Sequence, residues 1–300
     1  MTLPRRVQPG VIQLVTRRVA GRMHLLRPDP DIVQLCRYLL GVYTERYCIH
    51  LHAVVFMANH VHLVLTDTLG CVPNFLRDFH RAMALGVKVL RQWHGSLWDH
   101  ERTSRVELCT AEAVIEKLAY VVANPVSAGL VQRAEDWPGV TTLPHELGAK
   151  SWTTPRPNFF FDPDNHVWPP TATLRLIAPD GPWDIEEVRA RVARELKYLE
   201  SQALNRTLTK GIRALERSDI FQSSPFKRAA TPEPQRHFKP VVAAGRGQQE
   251  AFRKAVQVLR SFRLAYRRAL NQWREGNRGV LFPAATWLMR WLHVVQVEPS

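Results

Sequence analysis

The sequence contains few cysteines, and the four that are present are dispersed, at Cys36, Cys48, Cys71 and Cys109. No two of them have the Cys-x-x-Cys spacing that is typical of zinc cages and of thioredoxin-like redox motifs. A disulfide-stabilised extracellular domain is not expected, because such domains depend on a dense framework of paired cysteines. We therefore expect reduced thiols in a cytoplasmic protein.

Long apolar runs are also missing. The 300 residues contain no run of about 18 apolar residues, the length that crosses a bilayer, so no membrane partner is expected. The first residues carry basic side chains without an apolar segment behind them, so we expect no secretory signal. Internal repeats and low-complexity tracts are not found in the sequence either.

Acidic residues are too few to balance the charge of the chain. Lysine and arginine number 41 against 27 aspartates and glutamates, which gives a formal net charge of +14. The excess is concentrated in residues 227–290, with 14 basic and 3 acidic residues. A basic surface of this size attracts a polyanion, most often nucleic acid. The charge thus indicates a class of partner but not a chemistry.

The order of the predicted elements indicates an α+β domain. Strands are predicted at residues 11–16, 49–57, 60–65 and 106–108, and helices at about 31–47, 73–94 and 111–124. This order is typical of a ferredoxin-like antiparallel sheet, with helices packed on one face. The pattern therefore favours a small layered domain in the first half of the chain.

A segment without sustained periodicity separates the two halves. Residues 137–170 are rich in proline, asparagine, aspartate and tryptophan, and we place a domain boundary after residue 148. Residues 149–300 are then expected to form a basic, mainly helical C-terminal region. Its predicted parts are helices at about 184–204 and 248–275 and a linker at about 222–248.

The last predicted helix carries arginines every seven residues, at Arg253, Arg260, Arg267 and Arg274. Two interpretations of this row are open. The arginines either follow a nucleic-acid backbone or cover the adjacent apolar stripe with their side-chain stems. Arg77 and Arg81 lie on the polar face of the second helix, which is either an ordinary solvated face or one that faces phosphate. The basic pair Arg17 and Arg18 ends the first strand. All eight are candidate DNA-binding residues.

Two histidines, His60 and His62, lie two residues apart in a predicted strand. Side chains alternate between faces along a strand, so both imidazoles share one face, about 7 Å apart along the strand. Such a pair can bind one divalent metal, although a lone pair of this kind is more often solvated or hydrogen-bonded. His50 and His52 have the same spacing in the preceding strand, so spacing alone does not choose between the pairs.

Tyr120 lies in the last turn of the third predicted helix, which should end before Pro125. Asn124 follows four residues later on the same face. If this helix lies over the histidine face, a tyrosine hydroxyl can attack a phosphodiester and form a covalent phosphotyrosine. A metal held by two imidazoles and the Asn124 amide oxygen would leave positions open for phosphate and water.

At these residues the chain resembles a known family. The segment Met57-Ala58-Asn59-His60-Val61-His62-Leu63, followed by the segment from Tyr120 to Val131 and by Trp137-Pro138, resembles the HUH single-tyrosine transposases. The resemblance is strongest to the REP-associated tyrosine transposases and covers about residues 5–148. Because Met-x-Asn precedes His60 and not His50, it selects His60 and His62 as the metal-binding pair.

The resemblance implies a complete activity. Residues 1–148 would form a ferredoxin-like endonuclease domain in which His60, His62 and Asn124 bind Mg²⁺ or Mn²⁺ and Tyr120 is the nucleophile. The partner would be single-stranded or hairpin DNA, cut and rejoined by a monomer or homodimer through a 5′-phosphotyrosine. Trp98-Asp99 departs from the Trp-Gln of related sequences, and residues 149–300 have no counterpart in the minimal family.

Two other interpretations remain open on the residues alone. The protein could be a catalytically silent nucleic-acid-binding protein that has kept the transposase fold. Alternatively, it could be a zinc-stabilised or hydrolytic metalloprotein that uses His50, His52, His60 and His62 together.

Overall fold

The computed structural model describes residues 4–101, 103–179, 181, 184–209, 211, 215–229 and 240–299. Residues 1–3 of the basic N-terminal segment and residues 230–239 of the predicted linker lie outside the described residues.

The described residues form seven strands and eight α-helices. The strands are β1 (Val11–Arg18), β2 (Ile49–Met57), β3 (His60–Asp67), β4 (Ser104–Leu108), β5 (Ser151–Pro155), β6 (Thr171–Arg175) and β7 (Val242–Ala243). The helices are α1 (Pro30–Arg46), α2 (Val72–Arg91), α3 (Ala111–Val122), α4 (Asn124–Ser127), α5 (Ile185–Thr209), α6 (Arg217–Gln222), α7 (Gln249–Arg274) and α8 (Leu288–His293).

A five-stranded sheet organises the chain, with the strand order β2-β3-β1-β4-β7. The first four strands pair antiparallel, and the short β7 adds to β4 in parallel. With α1 after β1 and α2 after β3, this order is the ferredoxin-like arrangement. The predicted α+β class and the helical character of much of the C-terminal region are confirmed.

Helices cover both faces of this sheet. Helices α1 and α2 pack on one face, against residues such as Val15, Leu63 and Phe56. Helix α3 packs on the other face, against Val55 and Val64. The prediction placed the helices on one face, whereas α1 and α2 share one face and α3 covers the other. The central strands bury apolar side chains on both faces, so both faces need cover.

Local sequence signals set the helix ends. The carboxylate of Asp29 accepts a hydrogen bond from the Ile32 amide at the start of α1, and the Thr110 hydroxyl accepts one from the Ala113 amide at the start of α3. Helix α3 ends at Val122, and Pro125 lies in the first turn of the short helix α4. The break therefore falls two residues before the predicted end at Asn124.

The region after residue 148 packs into the same cores. Strands β5 and β6 form an antiparallel hairpin within a segment for which no regular structure was predicted, and Leu174 joins the core beside α1. Val188 and Val192 of α5 join the core beneath α3. Core packing thus continues across residue 148, and the division into residues 1–148 and 149–300 stays a prediction.

A third, smaller apolar cluster joins α7 to the C-terminal segment. Phe262, Tyr266 and Ala269 of α7 pack there with Phe282 and Met289.

None of the helices among the described residues is long and apolar enough to span a bilayer.

Candidate metal and nucleophile site

The two histidines of the motif occupy the start of β3, a strand with neighbours on both sides. His62 lies opposite Thr16 of β1 and Val55 of β2 in the strand register. His60 and His62 both face the α3 side of the sheet, since Val61 and Leu63 belong to the core on the α1 side. The two imidazole rings lie edge to face, with their centroids 4.8 Å apart.

Hydrogen bonds orient both imidazoles. The Oγ1 of Thr16 lies 2.7 Å from the Nδ1 of His62, and the Oδ1 of Asn59 lies 2.7 Å from the Nδ1 of His60. An amide oxygen only accepts, so the neutral tautomer that carries its proton on Nδ1 satisfies the contact with Asn59 and leaves the lone pair on Nε2. A hydrogen bond at one ring nitrogen that directs the other nitrogen to a metal is common among metal-binding histidines.

Asn124 brings an amide oxygen to the same place. Its Oδ1 lies 3.1 Å from the Nε2 of His60, and the residue is buried at the start of α4. When His60 is neutral with its proton on Nδ1, these two facing atoms are both acceptors. A cation bound by both His60 Nε2 and Asn124 Oδ1 would use both lone pairs. Alternatively, rotation of the Asn124 amide would turn its NH2 group towards His60 Nε2, and the two groups would then form a hydrogen bond without a metal.

Tyr120 completes the group from the last turn of α3. Its side chain is 39% exposed, and its ring centroid lies 5.2 Å from that of His62. The ammonium nitrogen of Lys117, one helical turn earlier, lies 5.5 Å from the centroid of the Tyr120 ring. The phenol thus stands beside the histidines, accessible to solvent and next to a positive charge.

The electrostatic surroundings keep His62 neutral. Burial lowers the pKa of His62 well below its ordinary value, and the nearby His60, Arg18 and Lys117 lower it further. A neutral imidazole is the form that binds a metal, so His62 needs no deprotonation at neutral pH.

His52, one of the second histidine pair, has a structural role. In the buried His52, Nδ1 lies 2.8 Å from the carbonyl oxygen of Ile177 and Nε2 lies 2.8 Å from the Oγ1 of Thr66. Both ring nitrogens are therefore engaged within the protein, which leaves His52 unsuited to the four-histidine site. In the described part of the chain, no cluster of three or more His, Cys, Asp or Glu side chains is arranged to hold a metal.

The arginines near the sheet lie on different faces. Arg18 is exposed and lies opposite His60 in the strand register, so it belongs to the histidine side. Arg17 alternates to the other side, where it donates to the carbonyl oxygens of Asp99 and Glu101. Burial lowers the pKa of Arg17. Only Arg18 of this pair stands where it can support the candidate site.

The remaining predicted arginines lie on helices α2 and α7. Arg77 and Arg81 are exposed on α2, and Arg77 forms an ion pair with Asp78 at 2.6 Å. All four predicted arginines of α7 are exposed, namely Arg253, Arg260, Arg267 and Arg274. Contacts of these residues with DNA remain predictions.

Three residues of the site were not selected from the sequence. Asn59 was visible as part of the Met-x-Asn-His motif, but its orienting role was not inferred. Lys117 was detectable from its position one turn before Tyr120. Thr16 carries no local signal, because only the pairing of β1 with β3 brings it to His62.

Similarity to known proteins is found among solved structures. No protein-family model and no curated protein sequence matches the chain. It is similar to the structure of a REP-associated tyrosine transposase bound to a REP hairpin, at 18% identity and a TM-score of 0.39, over 49% of this chain and 84% of that one. It is also similar to a putative transposase from Deinococcus radiodurans, at 19% identity and a TM-score of 0.29, over 41% of this chain and 97% of that one.

Proposed function

We propose that the protein is a metal-dependent DNA transposase or endonuclease that cuts and rejoins single-stranded DNA through a covalent phosphotyrosine. One observation carries the proposal: His60, His62, Asn124 and Tyr120 converge on one side of the sheet from three separate elements. The order and spacing of the two motifs, which resemble those of HUH single-tyrosine transposases, add support. The net charge of +14 suits a nucleic-acid substrate.

The chemistry follows from the position of Tyr120. Its phenolic oxygen would attack the phosphorus of a phosphodiester, forming a phosphorus–oxygen bond to tyrosine while the bond to the 3′ oxygen breaks. The tyrosine proton leaves to solvent, and the departing 3′ oxygen takes up a proton to become a hydroxyl. The 5′ phosphate stays on Tyr120. Attack by a 3′ hydroxyl on this phosphotyrosine reverses the step and rejoins a strand.

The residues present fit a divalent cation. The Nε2 of His60 and the Oδ1 of Asn124 lie 3.1 Å apart, close enough for both to contact one ion. The amide oxygen is a donor that suits Mg²⁺ or Mn²⁺, whereas imidazole nitrogens are more typical ligands of zinc, copper, iron and nickel. His60, His62 and Asn124 would hold the ion, which would stabilise the charge that develops on the phosphate oxygens. Lys117 and Arg18 would add positive charge beside the phosphate.

The test is the formation of a covalent protein–DNA adduct. Purified protein is incubated with single-stranded hairpin DNA and Mn²⁺, and the products are separated on a denaturing gel. Tyr120→Phe should abolish the adduct, because the variant lacks the attacking oxygen. Tyr198→Phe is the matched control, since Tyr198 is an exposed helical tyrosine on α5.

Two other outcomes would contradict the proposal. An adduct that persists in Tyr120→Phe would remove Tyr120 from the mechanism. DNA binding without any adduct, over a panel of hairpins, would instead favour the catalytically silent nucleic-acid-binding protein.

A further inference from the structure

A basic cleft lies on the opposite side of the sheet from Tyr120. Its volume is about 780 Å³, and it is bounded by α2, by the N-terminal segment, by the start of β4 and by α7. Leu76 and His80 of α2 line it, and α2 packs on the face that α3 does not cover. This space is therefore separate from the group of His60, His62 and Tyr120.

Arginines from both walls converge on this cleft. Arg17, Arg77 and Arg105 come from β1, α2 and β4, and Arg263, Arg267 and Arg274 come from α7. Glu101 is the acidic side chain among the lining residues. Arg267 and Arg274 are exposed, and neither forms an ion pair with any residue in the described ranges. Such an excess of positive charge in a concave site concentrates anions.

Buried polar atoms at the cleft lack partners. His80 is 8% exposed, and its Nε2 has no hydrogen-bond partner among the described residues. The Nε atoms of Arg17 and Arg263 are also buried without a partner in that part of the chain. Buried polar groups are normally hydrogen-bonded, so these atoms mark a polar wall whose hydrogen-bonding capacity the described residues leave unused.

The size and the lining of the cleft favour a single strand. A volume of about 780 Å³ lies within the range of sites for small ligands, roughly 300–1,000 Å³, and admits a few nucleotides of one strand rather than a duplex. The half-buried Trp287 places an aromatic ring among the arginines, and the largely buried Tyr266 lines the cleft beside it. Arginines that contact phosphates, beside rings that can contact bases, are the components of grooves that bind single-stranded nucleic acid.

We infer that the cleft between α2 and α7 is a second nucleic-acid site, which holds the backbone of single-stranded nucleic acid with Arg267 and Arg274. The site does not depend on catalysis at Tyr120, because it lies on the other side of the sheet. It also divides the arginine row of α7, since Arg267 and Arg274 line the cleft and Arg253 and Arg260 do not.

This division provides a matched pair of variants. Arg267→Ala/Arg274→Ala and Arg253→Ala/Arg260→Ala each remove two exposed charges, seven residues apart, from the same helix. Binding of a fluorescent six-residue oligodeoxythymidylate to the full chain is measured by anisotropy as a function of salt. EDTA is present, so that cleavage and metal binding do not contribute.

The first variant should bind more weakly than the wild type, and the second should not. Loss of two phosphate contacts lowers the slope of log K against log salt by about 1.4, which is about 25-fold in affinity at 0.1 M salt. Equal losses in both variants would mean a diffuse charge effect and would overturn the inference, as would no loss in either. Thermal melting confirms that both variants fold.

Competition distinguishes a strand from a small nucleotide. An unlabelled oligodeoxythymidylate should displace the probe at a far lower phosphate concentration than thymidine monophosphate or inorganic phosphate does. Equal displacement by the mononucleotide would assign the cleft to a small ligand and would overturn the strand assignment. The binding measurement contains no catalytic step, so failure of the adduct test leaves it intact.

Discussion

Thr16 orients His62, and replacement of Thr16 by valine tests that role. Valine keeps the size and the β-branched shape that suit β1 but lacks the hydroxyl. The change therefore removes the 2.7 Å hydrogen bond between Thr16 Oγ1 and His62 Nδ1 and leaves the strand pairing in place. His62 is almost fully buried, so water cannot readily replace the lost partner.

The expected magnitude follows from this geometry. A buried polar atom without a partner costs about 1–3 kcal/mol, which would lower the free energy of unfolding by that amount. Removal of the group that orients a metal-binding histidine typically weakens metal affinity by about 10- to 100-fold. We expect Thr16→Val to show both losses, since one hydrogen bond underlies them.

The assay is a titration of Mn²⁺ into wild type and variant by calorimetry, together with unfolding in urea. Thr153→Val is the control, because the hydroxyl of Thr153 contacts that of Thr173 on the exposed face of the β5–β6 hairpin. An unchanged Mn²⁺ affinity in Thr16→Val, with the fold intact, would refute the role of Thr16 in the candidate site.

Two further predictions concern stability. Burial, followed by the charge of Arg17, lowers the pKa of His80 to about 3, so the unfolded chain binds the proton more tightly than the folded one. The free energy of unfolding should therefore fall as the pH drops from about 6.5 towards 3, by about 3 kcal/mol at pH 4. Urea unfolding of the His80→Phe variant at pH 7 and pH 4 should show the loss of this part of the pH dependence. The control variant His94→Phe, at an exposed histidine, should keep it. Truncation after residue 148 removes Leu174, Val188 and Val192 from the cores. The lost burial should lower the free energy of unfolding by about 4–9 kcal/mol, which approaches the whole stability of a typical domain. Cooperative thermal unfolding of the truncated chain, followed by circular dichroism, would contradict that shared packing.

The sequence predicted the central sheet because its signals are local. Alternating apolar residues identified β3, and Thr110 and Pro125 marked the ends of α3 to within two residues. The shared face of His60 and His62 follows from the pleat of one strand. The placement of Tyr120 beside His62 required, in addition, that α3 covers that face.

The remaining features depend on contacts that are distant in sequence. Thr16 reaches His62 only through the register of β1 against β3. The β5–β6 hairpin was not predicted because its strands have five residues each, and prolines, aspartates and tryptophans in the connecting segment obscure any alternation. The cleft arises only when α7 lies near α2, so the two halves of the arginine row of α7 look alike in the sequence.

Mass spectrometry of the protein after incubation with hairpin DNA and Mn²⁺ tests the central proposal most directly. The proposal predicts that the peptide containing Tyr120 gains a 5′-linked nucleotide and that the released DNA fragment ends in a 3′ hydroxyl. Modification of another residue, or an unmodified Tyr120 peptide alongside cleaved DNA, would contradict it.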